Sequence, residues 1–356
     1  MVFRCYPLTH GVIPVLRVLK QILVIAIVGA GLLGSGCIRK VRVPEHLAVQ
    51  PALSIDQLVS RINSYQQIDS FSAQVEVSVR DYYTKENGTA KDFPSANGAL
   101  RLARPEKIRM LITAPIINSN VADMTSDGNK FSVAIYYPKD SRTFVHGTNP
   151  KRLRHLGEEE IKEAKDSRLR DAGALANIRP QHITDAFIIK PILSDESTVY
   201  FREEAQEREP DTRPGKSGRE VYRTYYVLYV LERVDGGQLH LRRKFWFDET
   251  QAGTPLVRQQ TFENGDGRVG SDIRYNDFFQ IPNFNLAMPG SVEIKRPYDG
   301  YDISLVLNHS SVQINLTLPP TTFTLENIYH MKEIDLDQAR TESITADKVS
   351  ANRRLR

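Results

Sequence analysis

The chain has 356 residues, 40% of them hydrophobic and 25% charged, with 21 Gly and 19 Pro. That composition excludes collagen-like and wholly disordered classes and provides for a sizeable core in one or two domains. Lys and Arg number 47 against 43 acids, but Arg4, Arg17 and Lys20 lie in the first 36 residues, which hold no acid, so removing those three leaves 44 against 43. A body so balanced lacks the basic surplus that nucleic-acid phosphates require. Of the two cysteines, Cys5 and Cys37, only one remains once a leader is removed, too few for an internal disulfide or a cysteine metal cluster.

Residues 22–36 form an uncharged run ending in small residues behind a mixed apolar and basic stretch, the layout of a secretory signal. At about 15 residues, with a glycine-rich end, the run is shorter than the roughly 20 a membrane-spanning helix needs. Gly34-Ser35-Gly36-Cys37 resembles a bacterial lipobox, in which small residues precede a cysteine that receives diacylglycerol before cleavage. Leu33 stands one place further back than the leucine of that pattern. The resemblance implies a signal peptide over 1–36 and lipid attachment at Cys37. Ile38, in the place of the aspartate used for inner-membrane retention, implies the outer membrane, facing the periplasm. Residues 37–52, with Arg39, Lys40, Arg42, Pro44 and Pro51, read as a lipidated tether.

Ile55, Leu58, Val59, Ile62 and Tyr65 fall at helical spacing behind Ser54, a suitable N-cap, so 54–68 is expected to be an amphipathic helix. The period then changes to two. Phe71, Ala73, Val75, Val77 and Val79 alternate with Ser72, Gln74, Glu76, Ser78 and Arg80, as in a strand with one face in a core. After a polar loop at Asn87-Gly88, strands are expected over 98–103, 108–113, 121–125, 130–137 and 143–146, joined by short turns that impose antiparallel pairing. Residues 147–176 are highly charged and read as a solvated loop or exposed helix. A short helix with an apolar face is expected over 180–192, and a charged hairpin loop or disordered insert over 203–219. Strands are expected again over 220–233, 238–247, 256–263, 269–276, 291–296, 303–307 and 311–318, before a polar tail over 339–356.

Enzyme signatures are missing or incomplete. Gly215-Lys216-Ser217 has the end of a phosphate loop, but Pro210 stands where its first glycine belongs. The eight histidines are scattered singly without metal-ligand spacing, and no Gly-x-Ser-x-Gly elbow occurs after Cys37. The expectation is therefore no catalytic residues, no metal and no cofactor. A long antiparallel sheet with one apolar face must pack on another sheet, close into a barrel or be covered by helices. With two clear helices, the expected class is mainly β (α+β): a curved antiparallel half-barrel of about 11 strands with a few covering helices. Its candidate cavity lining is Val75, Val77, Val79, Leu100, Leu102, Ile108, Met110, Phe131, Val133 and Ile135, with ordinary core packing as the alternative for each.

The order of elements, the pair Gly98-Ala99-Leu100-Arg101-Leu102 and Pro105-Glu106-Lys107-Ile108-Arg109, and the Asp127-Gly128-Asn129-Lys130 turn leading to Tyr136-Tyr137-Pro138 resemble the LolA/LolB lipoprotein-localisation superfamily. The resemblance covers about 53–147 by motif and 180–318 by topology alone, within a domain placed at 53–338 with charged inserts at 147–176 and 203–219. It implies a half-barrel closed by helices around a cavity for acyl chains, and a membrane-contact loop at Ile116 and Ile117, just after Pro115. The expected partners are a membrane lipid or an acylated lipoprotein, the outer membrane through the amino-terminal lipid, and no nucleic acid. The rival expectation is a scaffolding lipoprotein that docks an envelope complex without a ligand.

Overall fold

The structure is a computed structural model that describes residues 43–337 except 87–88, 115–118, 138, 140–141, 150–158, 160–161, 163–177, 264, 266, 282–283 and 285; of 84–86 it describes the backbone alone. Cys37, the signal segment, the loop of Ile116 and Ile117, nearly all of the charged stretch 147–176 and the tail 339–356 lie outside the described residues. The chain divides into two compact units, Met1–Glu45 and His46–Arg356.

In chain order the elements are β1 (Glu45–His46), α1 (Ile55–Ser64), a 3-10 turn (Tyr65–Gln67), β2 (Ser70–Glu86), β3 (Thr89–Ala103), β4 (Lys107–Ala114), β5 (Ser119–Ser126), β6 (Lys130–Ile135) and β7 (Thr143–Thr148). Then follow α2 (Pro180–Phe187), β8 (Thr198–Pro210), β9 (Glu220–Arg233), β10 (Leu239–Asp248), β11 (Leu256–Glu263), β12 (Arg268–Asn276), β13 (Phe279–Gln280) and β14 (Ala287–Met288). The last are β15 (Ser291–Arg296), β16 (Tyr301–Leu307), β17 (Gln313–Ile314) and β18 (Lys332–Asp335). Among the described residues sixteen strands form one open, curved sheet, and β13 and β14 form a separate pair. From β9 the sheet runs β9-β10-β11-β12-β15-β16-β2-β3-β4-β5-β6-β7-β18, with β8 paired to β9 and β17 to β2. The pairings along this path from β9 onward, and those of β8 and β17, are antiparallel except β7 with β18.

The local causes are those the sequence carries. Ser54 closes a capping box, its hydroxyl accepting from the Gln57 amide at 3.2 Å while the Gln57 side chain accepts from the Ser54 amide at 2.7 Å. Leu58, Val59 and Ile62 then turn one face of α1 into the core. In β2 the inward face carries Phe71, Ala73, Val75 and Val77, opposite Leu102, Leu100, Gly98 and Ala96 of β3. Gly98 suits this crossing, since a Cβ there would stand 3.0 Å from a Val75 methyl and 3.3 Å from one of Val77. The core lies between the concave face of the sheet and the two helices.

Four expectations need correction. The sheet has sixteen strands, not about 11. The charged segment 203–219 is a hairpin loop only over 211–219: its first part continues β8 as far as Pro210, paired residue by residue with β9. Its glutamates lie along an outer strand, where charge and a final proline discourage further pairing. Expected strand 311–318 shrinks to Gln313–Ile314, because Asn308 caps a 3-10 turn over His309–Ser311 and Asn315 adopts φ 55°. Helix α2 ends at Phe187 rather than 192; Pro191 cannot continue a helix and restricts Lys190 before it.

Candidate lipid-binding interior

The concave face meets α2 and the segment that follows it. Ile183, Ala186, Phe187, Ile188, Ile189 and Ile192 are all buried in the same core as Leu58, Ile62, Val75, Leu100, Ile108 and Met110. The backbone of residues 185–192 is not in a sheet, so its carbonyls must be satisfied elsewhere. Side chains supply the partners. Gln259 donates to the Asp185 carbonyl at 3.2 Å, Tyr275 to Ala186 at 2.8 Å and Gln66 to Ile189 at 2.8 Å. Arg243 donates to the Lys190 and Pro191 carbonyls at 2.6 and 2.8 Å, and Asn63 both donates to and accepts from Ile192, at 3.1 and 2.8 Å. The segment is thus a strap, apolar inward and fastened by polar side chains from α1, β10, β11 and β12.

Burial shapes its electrostatics. The Arg243 guanidinium is brought down to about 10 by burial, against the opposing charge of Asp185. Burial raises the Asp185 carboxyl, while Lys190, 3.2 Å away, works in the opposite direction and also reaches Glu106 at 2.7 Å. At the amino end of α2, the half-buried His182 ring holds the Tyr301 hydroxyl, and the Arg179 guanidinium stands 5.3 Å over the Phe131 ring. Burial first, then Arg296 and Arg179, hold His182 well below its ordinary pKa, so the ring is neutral. Arg296 is itself bound to Asp299 at 2.6 Å, Ser271 at 2.7 Å and Glu263 at 3.0 Å. This cluster closes one side of the interior with charge satisfied by charge.

Among the predicted lining residues, Val75, Val77, Leu100, Leu102, Ile108 and Met110 are buried together in the core, with Val79 and Val133 partly buried against it. Phe131 is buried beneath Arg179, and Ile135 is half-buried at the end of β6. A crevice of about 10 Å³ lies among Tyr65, Ala186, Phe187, Ile189, Tyr275, Met288 and Pro289. That is room for one water, whereas pockets for drug-sized ligands run to about 300–1,000 Å³. The crevice wall and the strap fastenings were not singled out from sequence; the apolar face of 180–192 was the one available signal. Among the described residues no helix is long and apolar enough to cross a membrane.

No family model matches the chain, and no curated protein matches it. Comparison with solved structures finds a DUF1329 family protein from Desulfovibrio piger, 12% identical over 75% of this chain and 94% of that one, with TM-score 0.38. It also finds a domain described as an outer membrane lipoprotein-sorting protein from Vibrio parahaemolyticus, 10% identical over 75% and 95% of the two chains, with TM-score 0.33. An uncharacterized conserved protein from Thermus thermophilus is 7% identical over 80% and 99%, with TM-score 0.25. Likeness at these values assigns neither ligand nor activity to this chain.

Proposed function

We propose that this protein is held through Cys37 at the periplasmic face of the outer membrane and binds the acyl chains of a lipid or lipoprotein, without catalysis, on the concave face of its half-barrel. The observation that carries the reading is the build of the interior. The apolar face of the sheet is covered by a strap whose residues Phe187, Ile188, Ile189 and Ile192 are buried against it, and on this reading an acyl chain would take their place. Exchanging one apolar occupant for another keeps the sheet face dry, so the apolar contacts of Val75, Leu100 and Ile108 are conserved. The polar fastenings of the strap are what such an exchange must break.

A second reading is favoured by the burial of the strap. If the strap never leaves, the interior is an ordinary core and the chain is a scaffold that docks an envelope protein. Native mass spectrometry of the protein purified without detergent separates the two. Adducts with phospholipid or acyl masses that vanish on solvent extraction support acyl binding. A bare polypeptide mass, unchanged after incubation with lipid, refutes it and leaves the scaffold.

A further inference from the structure

The strand ends reached by β6, and from which β7 and β18 start, carry apolar side chains in water. Tyr137, Ile328 and Tyr329 are 53, 66 and 63% exposed. Tyr329 meets the Tyr136 ring edge-on at 5.8 Å, so the residues form one corner and not scattered singles. The turn that presents them is rigidly built. The Asn327 amide donates to the Met331 carbonyl at 2.7 Å and to Glu333 at 3.0 Å, and accepts from the Met331 amide at 2.8 Å. His330, at φ 49°, donates its amide to the Asn327 carbonyl at 3.1 Å. Behind the turn Met331 is buried with Ala134 and Phe144. The backbone is thus fixed so that Ile328 and Tyr329 point away from the protein.

The surroundings select a partner. Lys139, Arg142 and Lys332 stand exposed around the corner, and Arg142 is fixed by its bond to the Tyr136 carbonyl at 3.1 Å. Of the two exposed acids beside it, Glu333 is engaged by Asn327, and with Glu326 counted the described groups around the corner are three cations against two acids. The antiparallel register sets further exposed apolar residues at this same end of the strands: Tyr82 late in β2, Tyr298 between β15 and β16, and Leu239 at the start of β10. Tyrosines that combine an apolar ring with a hydroxyl, one projecting isoleucine and flanking cations are the chemistry of a head-group layer bearing anionic lipid. A projecting turn offers no groove for a partner's side chains, but it fits a deformable layer.

We propose that the corner of Tyr136, Tyr137, Ile328 and Tyr329 seats in the interfacial layer of a lipid bilayer. The proposal rests on the membrane-anchored part of the function above and is independent of whether the interior admits acyl chains. The test uses the full chain, lipidated by its host and reconstituted in vesicles of phosphatidylethanolamine and phosphatidylglycerol doped with a dibrominated phosphatidylcholine. The wild type has a single tryptophan, Trp246, buried on the sheet, whose emission is the baseline. Ile328→Trp adds a reporter at the corner, and Val306→Trp adds one at an exposed position toward the opposite strand end. The added emission should be lost to bromine at 328 and kept at 306. Vesicle-bound protein whose emission at 328 is kept overturns the proposal and gives the corner to a protein partner. Protein that does not associate with vesicles at all overturns it together with the anchored reading.

Discussion

Phe187 is the side chain on which the filled interior depends most directly. It is 6% exposed, its ring stacks on Phe71 at 5.5 Å, and it forms part of the crevice wall. A buried aromatic removes about 150–250 Å² from water, which at about 25 cal/mol per Å² is roughly 4–6 kcal/mol. Core Phe→Ala changes cost about 3–5 kcal/mol. Phe187→Ala should therefore lower unfolding free energy by about 4 kcal/mol, a large share of the 5–15 kcal/mol typical of native proteins. Urea unfolding followed by far-ultraviolet circular dichroism reads this as a lowered midpoint with an unchanged slope. The same change removes about 3 kcal/mol of burial that strap release would otherwise sacrifice, so lipid should bind about a hundredfold more tightly to the variant. Native mass spectrometry against diacyl phosphatidylglycerol measures that shift. A stability loss under about 1 kcal/mol would refute the packing of the ring. A full loss with no gain in lipid binding would refute the strap as the occupant of a lipid site.

Ser54→Ala opens the capping box of α1 and should cost about 1 kcal/mol in the same unfolding assay, with Ser54→Asp restoring most of it. Arg296→Leu removes the guanidinium from Asp299, Glu263 and Ser271 inside the protein and should cost about 3–5 kcal/mol, well beyond an exposed pair. His182 makes stability pH-dependent. Its unfolded ring binds a proton near pH 6.5, while the folded ring stays neutral well below that. The unfolded state thus binds the extra proton, and stability falls as pH drops below about 6.5, by at most about 1.4 kcal/mol per unit, and is flat above it for this group. The difference between wild type and His182→Gln, measured at pH 7.5 and 5.5, isolates the effect; equal differences at the two pH values would exclude it.

Where neighbours in sequence are also neighbours in the core, the fold was legible. The alternation from Phe71 to Val79 gave β2, the spacing from Ile55 to Ile62 gave α1, and the expected bounds 220–233, 256–263 and 291–296 are those of β9, β11 and β15. Charge misled at β8, because Glu203 and Glu209 lie on a strand and receive the Tyr229 and Tyr225 hydroxyls across the pair. The inward faces at Val75, Val77, Leu100 and Leu102 were readable from a period of two. What fills the space in front of them was not. The Arg243, Gln66 and Asn63 fastenings join positions 53, 123 and 129 residues apart, and an isolated polar side chain carries no periodic signal of a partner so distant.

On the proposed acyl-binding reading, the strap also sets the kind of cargo the interior would take. At about 1 kcal/mol for a neutral hydrogen bond and 1.5–3 for one from a charged group, the fastenings of residues 185–192 together hold on the order of 10 kcal/mol. Exposing Phe187 at about 3 kcal/mol, and Ile188, Ile189 and Ile192 at about 2 kcal/mol each, adds on the order of 9 more. A single acyl chain of some fifteen methylenes contributes only about 12 kcal/mol at 0.8 kcal/mol per methylene, less than release of the strap requires. Two such chains contribute roughly 24 kcal/mol, enough to offset it. The interior should therefore reject single-chain fatty acids and accept diacyl or triacyl molecules. Competition in native mass spectrometry between palmitate and a dipalmitoyl phospholipid, each present below its aggregation threshold or on exchangeable carrier vesicles, tests this. Palmitate binding as firmly as the diacyl lipid would mean that the strap is held far more loosely than its seven hydrogen bonds indicate. Arg243→Met, which removes two of those bonds, should then leave palmitate binding unchanged, whereas a fastened strap predicts that it rises.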